Sequence, residues 1–483
     1  MIGTMHRLFK ALLCLLALTS GIAAGQNLPR SVHEALRAAG LPQSSVHIVV
    51  QDLATGRPSL RLNAQVPVNP ASVMKLLTTY AALELLGPAY RWKTEVYRDG
   101  EDVILRGYGD PKLDYESFWM LLRNLRGRGL RHIRGDFVLD RSYFGPADEG
   151  GVDDDVFRPY NVGPDALLVN FKSLRFVFIP EDAGVRVFAE PAPPGLELVN
   201  TLKLSQGECP EGRAFRELIK AQFQASPPRA SFSGAYPVLC GERDLHVALH
   251  SPEDYLAGVI RLLWNEMGGS WTGAVREGGT PPTAQLAYTH ESAPLAEIVR
   301  DINKFSNNVM ARQLYLTLAA EMGGAPADPA QARLSLQQWL WLKNIRAPEL
   351  VIENGSGLSR IERASASTIA ALLQSAWRSR VMPEFVASLP VAALDGTMRK
   401  RLLGEAVAGH AHIKTGLLRD ARSIAGYVLD RHGRRHAVVM IVNHPRAGAA
   451  QGAMDALLAW IYDGPRDPAG TTAGPPGGGP PAP

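Results

Sequence analysis

Three short motifs, each present once, stand far apart along this 483-residue chain: Ser72-Val73-Met74-Lys75, Ser306-Asn307-Asn308 and Lys414-Thr415-Gly416. If they act together, a fold must bring a helix start, a break in a second helical stretch and the end of a strand to one place. The first motif lies in residues 69–86. Pro70 suits a helix start, because its missing N–H would have had no partner there. The Leu, Ala and Met that follow are good helix formers. Ser72 and Lys75 are three apart and so share a helix face. A lysine beside a serine acts as a base when its ammonium is desolvated or crowded by another cation. Alone, such a pair reads more readily as a capping serine and a snorkelling lysine. The order S-x-x-K, S-x-N, K-T-G lifts it out of that reading.

Apolar residues make up 46% and charged residues 20%, as in a globular protein with a real core. The length predicts two or three domains. Arg7 and Lys10 are the only charges before residue 26, and losing them takes the formal net charge from +4 to +2. That is too weak to recruit nucleic acid or an acidic membrane. Residues 1–25 read as a signal peptide: a basic start, the apolar run Ala11 to Leu18, then small residues from Gly21 to Gly25. The run is too short to span a bilayer, and no other stretch is long and apolar enough. Cys14 follows Leu13, a poor context for lipid attachment, so release into the periplasm is expected. Cys209 and Cys240 then remain, either as a pair or as two independent thiols.

Strand texture at Val46 to Asp52, a returning Leu60 to Leu62 and the Ser72 helix open the chain. Between Trp92 and about residue 280, short alternating runs dominate (94–97, 103–107, 133–139, 167–178 and 185–189), with one helix at Tyr115 to Arg126. Helices return at Pro252 to Met267 and at Ala293 to Glu321, the latter with Ser292 as a predicted N-cap. Two more follow at Pro329 to Trp341 and Ala366 to Arg378. In the former, Trp339, Leu340, Trp341 and Leu342 read as core or interface. His410 to Thr415, a hairpin of Ala421 to Asp430 with His436 to Asn443, and a helix from Ala447 to Tyr462 complete the chain. Residues 464–483, mostly Gly, Pro and Ala, are predicted to be disordered. The division expected is therefore a catalytic domain from 26–92 and 280–463, with a mainly β insertion at 93–279.

No metal or other cofactor is expected. The acidic residues Asp148, Glu149 and Asp153 to Asp155 fit no standard calcium loop and read as a solvated turn. His432 and His436 lack a third ligand nearby and are expected to face solvent at a hairpin tip. The twelve histidines offer no triad partner, and no G-x-S-x-G elbow is present, which disfavours a Ser-His-Asp hydrolase.

The three co-ordered motifs resemble those of the penicillin-recognising serine enzymes. Further stretches narrow the resemblance: Tyr90-Arg91-Trp92-Lys93-Thr94, Gly107 to Leu113, Gly135-Asp136 with Asp140-Arg141-Ser142, Glu353 to Arg360 and Asp395-Gly396-Thr397. Together they look like the D-alanyl-D-alanine carboxypeptidase/endopeptidase family, the low-molecular-mass class C penicillin-binding proteins, over nearly all of 28–463. About 230 residues separate Lys75 from Ser306, which argues against a compact β-lactamase.

The resemblance implies an α+β fold of the β-lactamase/transpeptidase-like kind, an antiparallel sheet flanked by helices. It implies a hydrolase that cleaves peptidoglycan stem peptides at D-Ala-D-Ala, or their cross-links, and is inhibited by β-lactams. Ser72 is then the nucleophile, Lys75 its base and Ser306 a proton relay. Asn308, Lys414, Thr415, Gly416 and Leu417 bind substrate, with Ser72 and Leu417 N–H groups as oxyanion donors. The stretches Glu353 to Arg360 and Asp395 to Thr397 are expected to be structural turns. Two rivals are a β-lactamase or esterase on the same nucleophile, and a non-catalytic wall-binding protein. One departure stands out: Leu417 occupies the position after K-T-G where the family commonly has Thr or Ser. Losing that charge-assisted hydrogen bond costs about 1.5–3 kcal/mol. The expected result is weaker free-carboxylate recognition and a tilt towards cross-link cleavage.

Overall fold

A computed structural model describes residues 28–146 and 157–465. The signal segment, the acidic residues Asp148 to Asp155 and all but the first two residues of the 464–483 tail lie outside the described residues.

Near-continuous apolar runs such as Ile48-Val49-Val50 and Val438-Val439-Met440-Ile441-Val442 suit strands covered on both faces. They form the central sheet. Its strands are β1 (Val46–Asp52), β2 (Pro58–Leu62), β3 (Ala411–Leu417), β4 (Ala421–Leu429) and β5 (Arg435–Asn443). The order is β3-β4-β5-β1-β2, with every pairing antiparallel. Side chains alternate between the faces. Val46, Ile48, Val50, Val438, Met440 and Val442 pack on one side with α1 (Arg30–Ala38) and the C-terminal helix Gln451–Asp463. Val49, Ala437, Val439 and Ile441 point into the other layer.

That second layer holds α2 (Lys75–Leu85), α3 (Leu295–Phe305), α4 (Asn308–Gly323), α5 (Pro329–Leu342), α6 (Ala366–Trp377) and α7 (Met382–Ser388). Residues Lys75 to Leu83 of α2 and Val309 to Ala320 of α4 are all buried. A helix apolar on every side is a core helix, and these two pack against each other. Of the four residues at the end of α5, Trp339 and Leu340 are buried with Ala332 and Leu336 of the same helix, whereas Trp341 and Leu342 are exposed. The predicted core reading therefore covers half of that tetrad.

Trp92 and Ser292 exchange two hydrogen bonds where the chain leaves and re-enters the layers on the central sheet. Ser292 N–H donates to Trp92 O, and Trp92 N–H donates to Ser292 Oγ. Ser292 is thus not the predicted helix cap, because its hydroxyl is engaged at this crossing and Pro294 occupies the N-cap position. Beyond the boundary expected near 280, one strand pairs back with the segment before it. Strand Gln285–Glu291 pairs antiparallel with Lys93–Asp99 in a five-stranded sheet of the intervening region. That sheet is mixed, with parallel pairings of Phe137–Asp140 to its neighbours. The region has its own core, in which Phe176, Phe178, Phe232 and Tyr236 form edge and stacked ring contacts. Cys209 and Cys240 are joined as a disulfide there. The run 167–178 becomes a strand only from Leu174, because Asn170, Phe171 and Lys172 all have positive φ.

His436 corrects another expectation. It is buried, with Nε2 2.9 Å from Asp430 Oδ2. Asp430 organises the hairpin tip by accepting the N–H groups of His432 and Arg434, and His436 packs against it from the strand. His432 is exposed.

Candidate active site

Ser72 sits on a short 3-10 turn, Ala71–Met74, that runs directly into α2. The turn is bent sharply at its entry. Ala71 has φ +47° and donates its N–H to Asn69 Oδ1. Left-handed geometry at a non-glycine residue is costly and persists only where surroundings enforce it. Here Ser423 of β4 donates to Pro70 O at 2.6 Å, and Asn69 and Asn443 exchange two hydrogen bonds. Two glycines let neighbouring chain pass close. A Cβ on Gly416 would lie 2.9 Å from Ser72 N, and one on Gly357 would lie 2.0 Å from Ala71 O. So the end of β3, which carries the K-T-G motif, is laid against the backbone of the serine.

Lys75 is completely buried one turn on. Its Nζ donates to Ser72 Oγ at 3.0 Å, to Asn308 Oδ1 at 2.6 Å and to Ser356 O at 2.5 Å. Burial drives its pKa well below the ordinary lysine range, and the positive charge of Lys414 pushes the same way. Glu362 opposes that shift.

The second motif lies where α3 stops. Ser306 caps the C-terminus of that helix, in left-handed conformation at φ +57°. Asn307 then caps α4, its side chain accepting from Met310 N–H. This break turns Asn308, the first residue of α4, towards Lys75. Ser306 Oγ accepts from Lys414 Nζ at 2.8 Å. Lys414 is also wholly buried, donates to Thr415 O, and is lowered by burial to about 7. Leu417 ends β3 with its side chain 62% exposed.

All eight residues singled out from sequence therefore gather in one cluster. Ser72, Lys75 and Asn308 form one hydrogen-bonded group and Ser306 with Lys414 another. Gly416 touches the serine backbone, while Thr415 and Leu417 flank it on β3. Two residues outside the predicted set belong to the same network. Glu362 is fully buried, and its Oε1 accepts the N–H groups of Glu353, Asn354 and Gly355 at 3.0–3.1 Å. Those bonds fold the loop so that the Ser356 carbonyl reaches Lys75. Thr78 of α2 donates to Gly355 O. The Gly-rich turn, which the resemblance puts beside the active-site region, thus lies against Lys75. Thr397 is the other, accepting a hydrogen bond from Thr415 Oγ1 at 2.7 Å. Nothing in Ser359-Arg360-Ile361-Glu362-Arg363 marks its glutamate as buried, since alternating charge is ordinary surface texture.

Comparison with known proteins identifies the family and the fold. A model of the D-Ala-D-Ala carboxypeptidase 3 (S13) family matches residues 28–461. A D-alanyl-D-alanine carboxypeptidase of Actinomadura sp. (strain R39) is 28% identical over 434 residues, spanning 85% of this chain and 80% of that protein. D-alanyl-D-alanine carboxypeptidase DacB of Haemophilus influenzae is 24% identical over 427 residues, spanning 83% and 86%. The crystal structure of penicillin binding protein 4 (dacB) from Haemophilus influenzae has the same fold. Its TM-score is 0.73 at 21% identity, with 90% of this chain and all of that one covered. With a family match over nearly its whole described length and a fold to go with it, the chain belongs to the D-Ala-D-Ala carboxypeptidase 3 (S13) family.

Proposed function

We propose that this protein is a serine-type D-Ala-D-Ala carboxypeptidase and D,D-endopeptidase that hydrolyses peptidoglycan stem peptides and cross-links through an acyl-enzyme on Ser72. The observation that carries the reading is the pairing of Ser72 with a fully buried Lys75 whose pKa is depressed by burial and by Lys414. A neutral Lys75 takes the proton of Ser72 as Oγ attacks the carbonyl carbon. The Ser72 and Leu417 N–H groups receive the developing oxyanion. Ser306, held by Lys414, passes a proton to the departing amine. Asn308 both anchors Lys75 and offers its amide N–H₂ to the substrate. Lys414 and Thr415 face the terminal carboxylate. Water then attacks the ester and frees Ser72.

β-Lactams present the same amide in a ring, so they acylate Ser72. A relative, penicillin binding protein 4 of Haemophilus influenzae, has been solved in complex with a β-lactam. The segment leaving at Trp92 and returning at Ser292 forms the inserted unit, which shapes the approach to the cleft. The basic and apolar start of the chain directs export to the periplasm. Among the described residues no helix is long and apolar enough to cross a membrane.

Mass spectrometry after penicillin treatment tests the reading. The wild type should carry one adduct on the peptide that contains Ser72, and Ser72→Ala should carry none. An unmodified wild type defeats the proposal, and an adduct on another serine defeats the assignment. Fast turnover without a lasting adduct would identify a β-lactamase instead.

A further inference from the structure

The loss of a hydroxyl at position 417 leaves the carboxylate seat one donor short, yet a second hydroxyl stands beside Thr415. Thr415 and Leu417 are two apart on β3 and so present to the same face. Thr397 reaches that face from a different part of the chain. Its Oγ1 accepts from Thr415 Oγ1 at 2.7 Å, and Thr397 is exposed. Because Thr397 accepts in that bond, its own O–H remains available to a ligand.

The short turn that carries Thr397, Gly396–Met398, is fastened on both sides of the cleft. Asp395 accepts from Lys304 Nζ at 2.6 Å, two residues before Ser306, and from Val391 N–H at 2.8 Å. Val391 in turn bridges to His412 of β3. Gly396 has φ +54°, and a Cβ there would lie 2.6 Å from Lys304 O. The turn is therefore pressed onto the end of α3 and tied to β3, which fixes Thr397 between the second and third motifs. A hydroxyl held this firmly meets a ligand with little ordering left to do. Arg399 and Lys400 follow within three residues and are exposed, which favours an anion nearby.

We propose that Thr397 supplies the second hydroxyl of the seat for the substrate's terminal carboxylate, in place of the one absent at Leu417. Thr415 donates to Thr397, and Thr397 donates to the carboxylate oxygen. Each bond in such a chain polarises the next. The inference rests on the peptidase reading above and names a residue that determines its preference for an acid over a neutral terminus.

The test uses the full chain and two substrates: a peptide ending in D-Ala-D-Ala, and the same peptide with its C-terminus amidated. The quantity read is the ratio of kcat/KM for acid over amide. The wild type should prefer the acid. Thr397→Val should cut that preference about tenfold to a hundredfold, the range of one charge-assisted hydrogen bond. Thr397→Ser, which keeps the hydroxyl, should restore it. Equal losses on both peptides, an unchanged ratio, or no rescue by serine overturns the proposal. Penicillin acylation of the wild type separates the two failures. A wild type that takes penicillin and cleaves the acid, with a ratio indifferent to Thr397, defeats only this inference. A wild type that does neither overturns the function and the inference together.

Discussion

In the inserted region Arg276 reaches Asp102 at 2.7 Å and Asp136 at 3.0 Å, with half of its side chain in water. Lys75, in the catalytic layers, is wholly buried, and its three hydrogen bonds go to neutral oxygens. Lys414 is treated alike, with a hydroxyl and a carbonyl as acceptors. The first arrangement is what a folded surface does with charge: opposite signs meet and solvent screens the rest. The second holds two cations in low dielectric without carboxylates in contact, which disfavours their charged forms. The inserted region keeps its strong interactions in an aromatic core and a disulfide. The layers on the central sheet have cores of their own, and in addition they bury Lys75 beside Ser72 and Lys414 beside Ser306.

The sharpest way to break this contrast is at the base. Lys75→Gln should slow penicillin acylation about 10²- to 10⁴-fold, the span of a positioned general base. Retention of the wild-type rate in a time course read by mass spectrometry would show the buried lysine to be structural. Next in size comes the disulfide. Replacing Cys209 and Cys240 together by serine opens a link across 31 residues. About 2–4 kcal/mol of stability should be lost in denaturant unfolding, while acylation of the folded protein is retained. A matching collapse of acylation would mean that the two regions are not energetically separate.

Glu362 offers a smaller but more diagnostic effect. Its negative charge holds the Lys75 pKa up against burial and Lys414, with the Arg312 guanidinium also lowering it. As the proposed base, Lys75 would act above its folded pKa, so acylation should fall as pH drops through that value. Glu362→Gln removes the charge and keeps an oxygen for the three N–H groups, so the acid limb of the rate profile should move to lower pH. An unmoved limb would confine Glu362 to loop architecture. The smallest effect belongs to the surface: Arg276→Ala should cost no more than about 1 kcal/mol of unfolding free energy. A loss of several kcal/mol would erase the distinction between the regions.

The chemical residues were legible because their types and short spacings are local. Ser72 and Lys75 need only one helical turn to meet, and Lys414, Thr415 and Gly416 need only a strand. The central sheet was legible for a similar reason, since Ile48-Val49-Val50 and the Val438 to Val442 run advertise two covered faces. Glu362, Thr397 and His436 were not. Each looks like surface in its own segment and gains its role from partners elsewhere: α2, β3 and the hairpin turn around Asp430. The pairing of strand Gln285–Glu291 was likewise not legible, because its partner Lys93–Asp99 lies about 190 residues earlier.

By itself, then, the sequence determined which side chains to look for and that a helix start, a helix break and a strand end must converge if they act together. The tertiary structure alone decided that Lys75 is stripped of water, that a buried Glu362 acts on its charge, and that a hydroxyl from residue 397 adjoins β3. The reason is physical. Helical and strand periodicity are written within a few residues, whereas burial, and the electrostatics that burial amplifies, belong to several segments at once.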